Sequence, residues 1–140
     1  MKVEMYRVII ASKSYEDLQI PTFKLHTESA PSLFERCSSE QDQIVRQAYE
    51  RAVIMNEVQG ITTRIPMDSL VSSQTQNYVK NLKTMYEHAD SITRLEHLGE
   101  ELPTVVQYEG VNYLLDGNHR ATLIKALGGD TLKCRFFEIS

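Results

Sequence analysis

The chain has 140 residues, 41% of them hydrophobic and 24% charged, and a formal net charge of −4. That length and mix fit one domain with a real hydrophobic core, and no apolar run reaches the ~18 residues that a membrane-spanning helix needs. Residues 61–140 carry eight Lys and Arg against ten Asp and Glu, which disfavours strong non-specific duplex binding, because a protein that neutralises many phosphates needs a basic surplus.

The first residues, MKVEMYRVIIAS, are basic and then apolar, but Glu4 and Arg7 interrupt the apolar stretch. Residues 3–10 therefore read as a strand and not as a signal peptide, and the expected location is cytoplasmic. Residues 13–22 are turn-like, residues 22–26 alternate as a short second strand, and Ser29-Ala30-Pro31-Ser32 reads as a helix start with proline near the first turn. From residue 39 to 57 Ile44, Val45, Ala48, Ala52, Val53 and Met55 recur at helical spacing, with Ser39 and Asp42 in the first turns and Gly60 beyond the end. This predicts an amphipathic helix that packs on the rest. Cys37 and Cys134 lie far apart without a CxxC or clustered histidines, which argues for a reducing compartment and against a zinc site. Cys134, in an alternating run, is expected to be a small buried side chain.

A β-branched strand is expected at 61–67, then a turn at 68–70 and a helix at 75–88 with Val79, Leu82, Met85 and Tyr86 inward. Residues 91–98 form a short helix capped by Asp90 or Ser91 and stopped at Gly99. Residues 102–108 and 111–115 flank Glu109-Gly110 as a hairpin. A helix over 118–127, ended by Gly128-Gly129, and a last strand over 132–139 complete an α+β pattern with a mixed sheet.

The most informative stretch is Asp116-Gly117-Asn118-His119-Arg120, placed between the apolar strand Tyr113-Leu114-Leu115 and the helix that follows. A strand ending in Asp-Gly and leading into a helix is the layout of an anion site. Glycine keeps a Cβ out of the ligand's way, and the first amides of the helix, with its dipole, favour negative charge. His119 offers a titratable imidazole and Arg120 a planar, permanently charged fork for phosphate oxygens. An arginine in the first turn opposes the dipole unless an anion is present. Asp116 has three readings: ligand of a divalent ion such as Mg²⁺ bridging phosphates, general base, or helix cap. Asn118 could donate to a phosphate oxygen or only satisfy the turn. The seven tyrosines are scattered and form no stacking ladder of the kind single-strand binders use.

Residues 61–140 resemble the ParB/sulfiredoxin-like superfamily, often labelled ParB-like nuclease. The resemblance runs from Arg64-Ile65-Pro66-Met67-Asp68-Ser69-Leu70 through a glutamine-bearing segment (Gln74, Gln76), a helix, and Leu102-Pro103 with Val105 and Val106. It closes on Tyr113-Leu114-Leu115-Asp116-Gly117-Asn118-His119-Arg120 and Ala126-Leu127-Gly128. It implies a mixed sheet with packed helices and a phosphate cradle at Gly117, Asn118, His119 and Arg120. It also implies that Lys80 and Asn81 lie on a helix leaning over that site, although solvated helix polarity is the plainer reading of both. Members of the superfamily include the CTP-binding clamp domain of partition proteins, ATP-using sulfiredoxins, an ADP-dependent serine kinase and proteins described as nucleases. Sulfiredoxins need a cysteine where this chain has Asn118, so sulfinic-acid repair is not expected. Partition proteins carry Glu-Arg-Arg in place of Asn118-His119-Arg120 and continue into a DNA-reading helix-turn-helix, while this sequence ends one strand after the motif helix. The His-Arg members, kinase and nuclease types, are the nearer pattern. Residues 1–60 show no such resemblance and read as an extension or a partner-docking element.

Two functions follow as expectations. One is a phosphoryl-handling enzyme (nuclease, NTPase or nucleotide-dependent kinase) with His119 or Asp116 handling the proton. The other is a non-catalytic nucleotide-sensing or protein-interaction accessory factor of a phage or plasmid, without autonomous sequence-specific DNA binding.

Overall fold

The computed structural model describes residues 29–31, 33–74, 76–89, 91–99 and 101–139. The strands expected at 3–10 and 22–26 lie outside the described residues. In chain order the elements are β1 (Ser29–Pro31), β2 (Glu35–Arg36), α1 (Ser39–Ile54), β3 (Ile61–Pro66), a 3₁₀ turn (Met67–Ser69), β4 (Leu70–Ser72) and β5 (Gln76–Tyr78). Then come α2 (Val79–His88), α3 (Ile92–Glu96), β6 (Thr104–Tyr108), β7 (Val111–Asp116), α4 (Asn118–Ala126) and β8 (Thr131–Ile139).

The fold is α+β. Six strands form a mixed sheet in the order β2-β4-β7-β6-β8-β3, and β1 pairs antiparallel with β5 in a separate ribbon. The hairpin of β6 and β7 closes through Glu109-Gly110 at its centre, and β8 returns after α4 to lie parallel to β6. The pleat sends alternate side chains to opposite faces, and both faces are covered. On one face α2, α3 and α4 bury Leu82, Leu95, Leu123 and Ile124 against Val105, Leu114, Leu132 and Cys134. On the other, Val45 of α1 joins Val106, Tyr113, Leu115 and Phe137, and Tyr49 meets the Phe137 ring edge-on at 4.9 Å. Cys134 is fully buried, as expected, and burial pushes its thiol up to about 11.

The helix starts where periodicity placed it but ends at Ile54, short of the expected residue 57, and its buried stripe is narrower. Only Val45 and Ala52 are buried, while Ile44, Val53 and Met55 are exposed. The reason is phase: the stripe follows 45, 49 and 52, and Ile44, Val53 and Met55 fall off it. Ser38 caps the start, its hydroxyl accepting from the Gln41 amide at 3.0 Å. The end is a Schellman motif at Asn56 (φ 57°), in which Glu57 N donates to Ala52 O at 2.8 Å. Gly60 therefore plays no part in stopping the helix. α4 ends the same way, with Gly129 N donating to Ile124 O at 2.8 Å.

Three further expectations are corrected. Ser29–Pro31 is a strand paired with β5 and not a helix start. Residues 68–70 are not simply a turn, because Leu70 opens β4, which pairs in parallel with β7. The segment from residue 75 enters β5 before α2 begins at Val79. In each case a three-residue strand is fixed by its partner across the ladder, which a local pattern does not record.

The depth of Val45 and the exposure of Ile44 (48%) separate two neighbouring substitutions. Val45→Ala is expected to cost about 2 kcal/mol of unfolding free energy and Ile44→Ala under about 0.5 kcal/mol, as read by urea denaturation.

Candidate functional site

β2, β4 and β7 run parallel, so their C-terminal ends share one edge of the sheet. Loops that leave such ends diverge and open a crevice. Ser73 and Gln74 follow β4, Gly117 follows β7, and Arg46 approaches from α1. With Met85, Leu115, Asp116, Asn118, His119 and Arg120 they line an open cleft of about 370 Å³.

The turn at Gly117 sets the shape of this cleft. Gly117 is the N-cap of α4 at φ 89° and ψ 25°, and no side chain caps the helix. An added Cβ would sit 2.7 Å from Cβ of Pro103. Left-handed backbone and close packing thus exclude a side chain independently. The first bond of the helix runs from Ala121 N to Gly117 O at 2.9 Å. The amides ahead of that bond have no carbonyl to meet within the helix.

Asn118 is buried and acts as a tie. Its Oδ1 accepts from Ser72 Oγ at 2.7 Å, Ser72 Oγ accepts from the Gln74 amide at 3.1 Å, and Thr122 Oγ1 donates to the Asn118 carbonyl at 2.7 Å. The side-chain oxygen therefore satisfies the turn and locks the 73–74 loop to the start of α4. Its amide NH₂ is the group left to act as a donor.

Arg120 is the unusual residue. Among the described residues its Nε and Nη1 are buried and have no hydrogen-bond partner, and burial lowers the guanidinium pKa from its ordinary value. An unpaired cation out of water is costly, and at a helix N-terminus the dipole opposes it as well. Gly99, at φ 80°, comes close on the other side: a Cβ there would lie 3.3 Å from Arg120 Nη2. Gly99 follows α3, which is held to the sheet by Arg64 of β3. The Arg64 fork donates to Glu96 Oε2 at 2.7 Å and Oε1 at 3.0 Å, and this pairing holds the Glu96 carboxyl below its usual range.

His119 is half-buried on the cleft wall, and burial pushes its imidazole pKa below the ordinary 6.5. The neutral ring is favoured at pH 7, with one nitrogen able to accept a proton. Asp116 is exposed at the end of β7, opposite Thr104 at a bulged point of the ladder. It does not cap α4, since that helix has Gly117 as its N-cap without a side-chain bond. Among the described residues no three His, Cys, Asp or Glu side chains cluster to hold a metal. An ion at Asp116 would draw its other ligands from phosphate oxygens and water.

The residues of the 116–120 stretch are thus brought together in one cleft. Asn81 is not among its lining residues: it is exposed on α2, and Met85, one turn further, lines the cleft instead. The side chain of Lys80 lies outside the described residues. Sequence reasoning missed Arg46, Ser73 and Met85. A cation on an amphipathic helix gives no signal by itself, and Ser73 is placed by the β4–β7 pairing. Arg46 donates from Nε to Asp42 Oδ2 at 2.7 Å and from Nη2 to the Leu115 carbonyl at 2.7 Å.

Comparison with protein-family models, curated proteins and solved structures finds no match to this chain.

Gly117→Ala is expected to destabilise the protein by about 2 kcal/mol or more, from backbone strain and the Pro103 clash, measured by denaturant unfolding. His119 gives a pH prediction. Its folded-state pKa lies below the unfolded one, so the unfolded chain takes up the proton first and acid favours unfolding. Stability of the free protein should fall as pH drops from the ordinary imidazole value through the folded one. The His119 ring should titrate below 6.5 by NMR, and phosphate in the cleft should move that midpoint up.

Proposed function

We propose that this protein binds a nucleotide through its phosphates at the Gly117–Arg120 turn and handles a phosphoryl group there, as a ParB/sulfiredoxin-like protein of the His-Arg type. The observation that carries this reading is Arg120, which lines an open cleft and whose buried Nε and Nη1 have no partner among the described residues. A phosphate supplies the missing counter-charge, and its oxygens match the planar fork. The opening amides of α4 and its dipole favour the same anion. The mixed sheet, with the turn at the end of β7, is compatible with the ParB/sulfiredoxin architecture implied by residues 61–140.

The chemistry that fits is phosphoryl transfer or hydrolysis by positioning and charge stabilisation. Arg120 and the turn amides hold the phosphate. His119, neutral near pH 7, accepts the proton of an attacking hydroxyl or water, and Asp116 at the rim offers a carboxylate to Mg²⁺. ATP, ADP and CTP are the candidate nucleotides, in a nuclease, NTPase or kinase setting.

A specific observation favours a second reading. Val53, Ile54 and Met55 at the end of α1 are exposed, Ile54 to 82%. Neighbouring apolar side chains in water suit a protein contact, so the chain would then be a nucleotide-sensing accessory factor that docks a partner through α1.

A thermal-shift screen over ATP, ADP, CTP and GTP, with and without Mg²⁺, followed by product analysis, separates the readings. A nucleotide at about 100 times its Kd stabilises by about 2.7 kcal/mol, a rise on the order of 8 °C for a domain this size. Stabilisation with product supports the enzyme, stabilisation without product supports the sensor, and no shift with any nucleotide contradicts both. Arg120→Met should abolish the shift. Because it removes an unpaired buried charge, it should leave the free protein as stable as before or more so.

A further inference from the structure

We infer that Arg46 of α1 is a second anion-binding arginine of the cleft, and that with Arg120 it makes the site selective for a ligand carrying two linked phosphoryl groups over one carrying a single phosphate. The inference rests on the phosphate reading of the Gly117–Arg120 turn and goes further by assigning a residue far from that turn in sequence.

Arg46 and Arg120 line the same cleft from separate elements, one from the helix on the α1 face and one from the first turn of α4. A guanidinium has five N–H donors. Arg46 uses two of them, Nε toward Asp42 and one hydrogen of Nη2 toward the Leu115 carbonyl. Those two bonds fix the plane of the fork beside the last residues of β7, next to Asp116 and Gly117. The remaining Nη donors are held at the cleft with their rotamer entropy already lost, the condition under which an arginine binds an anion well. The side chain keeps 42% exposure, so a ligand can reach it.

The division of work follows from the surroundings. Arg120, partly buried and with Nε and Nη1 unpartnered among the described residues, holds the first phosphate together with the amides of α4. Arg46, already half-neutralised by Asp42, adds little for a single phosphate seated on the turn. It becomes useful when a second phosphoryl group extends across the cleft toward α1. α1 is thereby part of the site as well as a cover for the sheet.

The test uses inorganic phosphate and pyrophosphate as probes, titrated by calorimetry into the full chain. Wild type should bind pyrophosphate at least about tenfold more tightly than phosphate, the worth of one charge-assisted contact. Arg46→Ala should remove that preference and leave phosphate affinity within about twofold of wild type. Arg120→Met should lose both probes. If the wild type binds neither probe, the phosphate reading itself fails and the inference with it. If Arg120→Met loses both while Arg46→Ala keeps the wild-type preference, only the inference is overturned. Asp42→Asn guards against misfolding of Arg46→Ala, since it leaves Arg46 in place and removes the competing carboxylate. It should strengthen pyrophosphate binding by about threefold or more and change phosphate little, and no change in pyrophosphate binding overturns the inference.

Discussion

The structure around the cleft depends on one constraint, the left-handed turn at Gly117 packed against Pro103. A Cβ at that position would meet Pro103 at 2.7 Å, so the end of β7 and the start of β6 approach as closely as backbone and a proline ring allow. That approach sets where α4 begins. It also leaves the helix without a side-chain cap, and it delivers Asn118, His119 and Arg120 as consecutive residues into one small volume. Each then has a different fate. Asn118 goes inward to Ser72, His119 forms part of the wall, and Arg120 passes beneath the Gly99 loop.

The energetics of these fates point in different directions. The Ser72–Asn118–Gln74 hydrogen bonds tie two loops together at the carboxyl edge of the sheet. Arg120 is the opposite, a cation whose buried nitrogens have no partner among the described residues and which opposes the helix dipole. Strain and unpaired charge of this kind collect where a ligand completes the structure. The bidentate Arg64–Glu96 pair, by contrast, is complete, and its place is to hold α3 and hence the Gly99 loop over Arg120.

Much of this was legible in the sequence. The Asp116–Arg120 stretch announced a strand-to-helix turn through its glycine and its misplaced cation, because both are local departures from what a helix start prefers. The β6–β7 hairpin, α4 with its stop at Gly128, β8 and the burial of Cys134 were equally readable from periodicity and turn chemistry. What escaped was non-local. β4 is three residues long and exists because it pairs with β7. β5 displaced the first turn of the expected second helix because it pairs with β1. Ile44 and Val53 read as core by spacing, yet the face of α1 that meets the sheet is set by Val45 and Tyr49. Arg46 was invisible for the same reason: its role depends on a contact with Leu115, 69 residues away.

The central claim is that the buried fork of Arg120 and the first amides of α4 hold a phosphate, and the most direct measurement is a ¹⁵N-resolved NMR titration of the protein with inorganic phosphate. The account predicts saturable shifts of the Asn118, His119 and Arg120 amides and of the Arg120 Nε–H resonance, with smaller changes at Ser73 and Gln74. Shifts absent from this turn, or spread evenly over surface lysines and arginines without saturation, would contradict it.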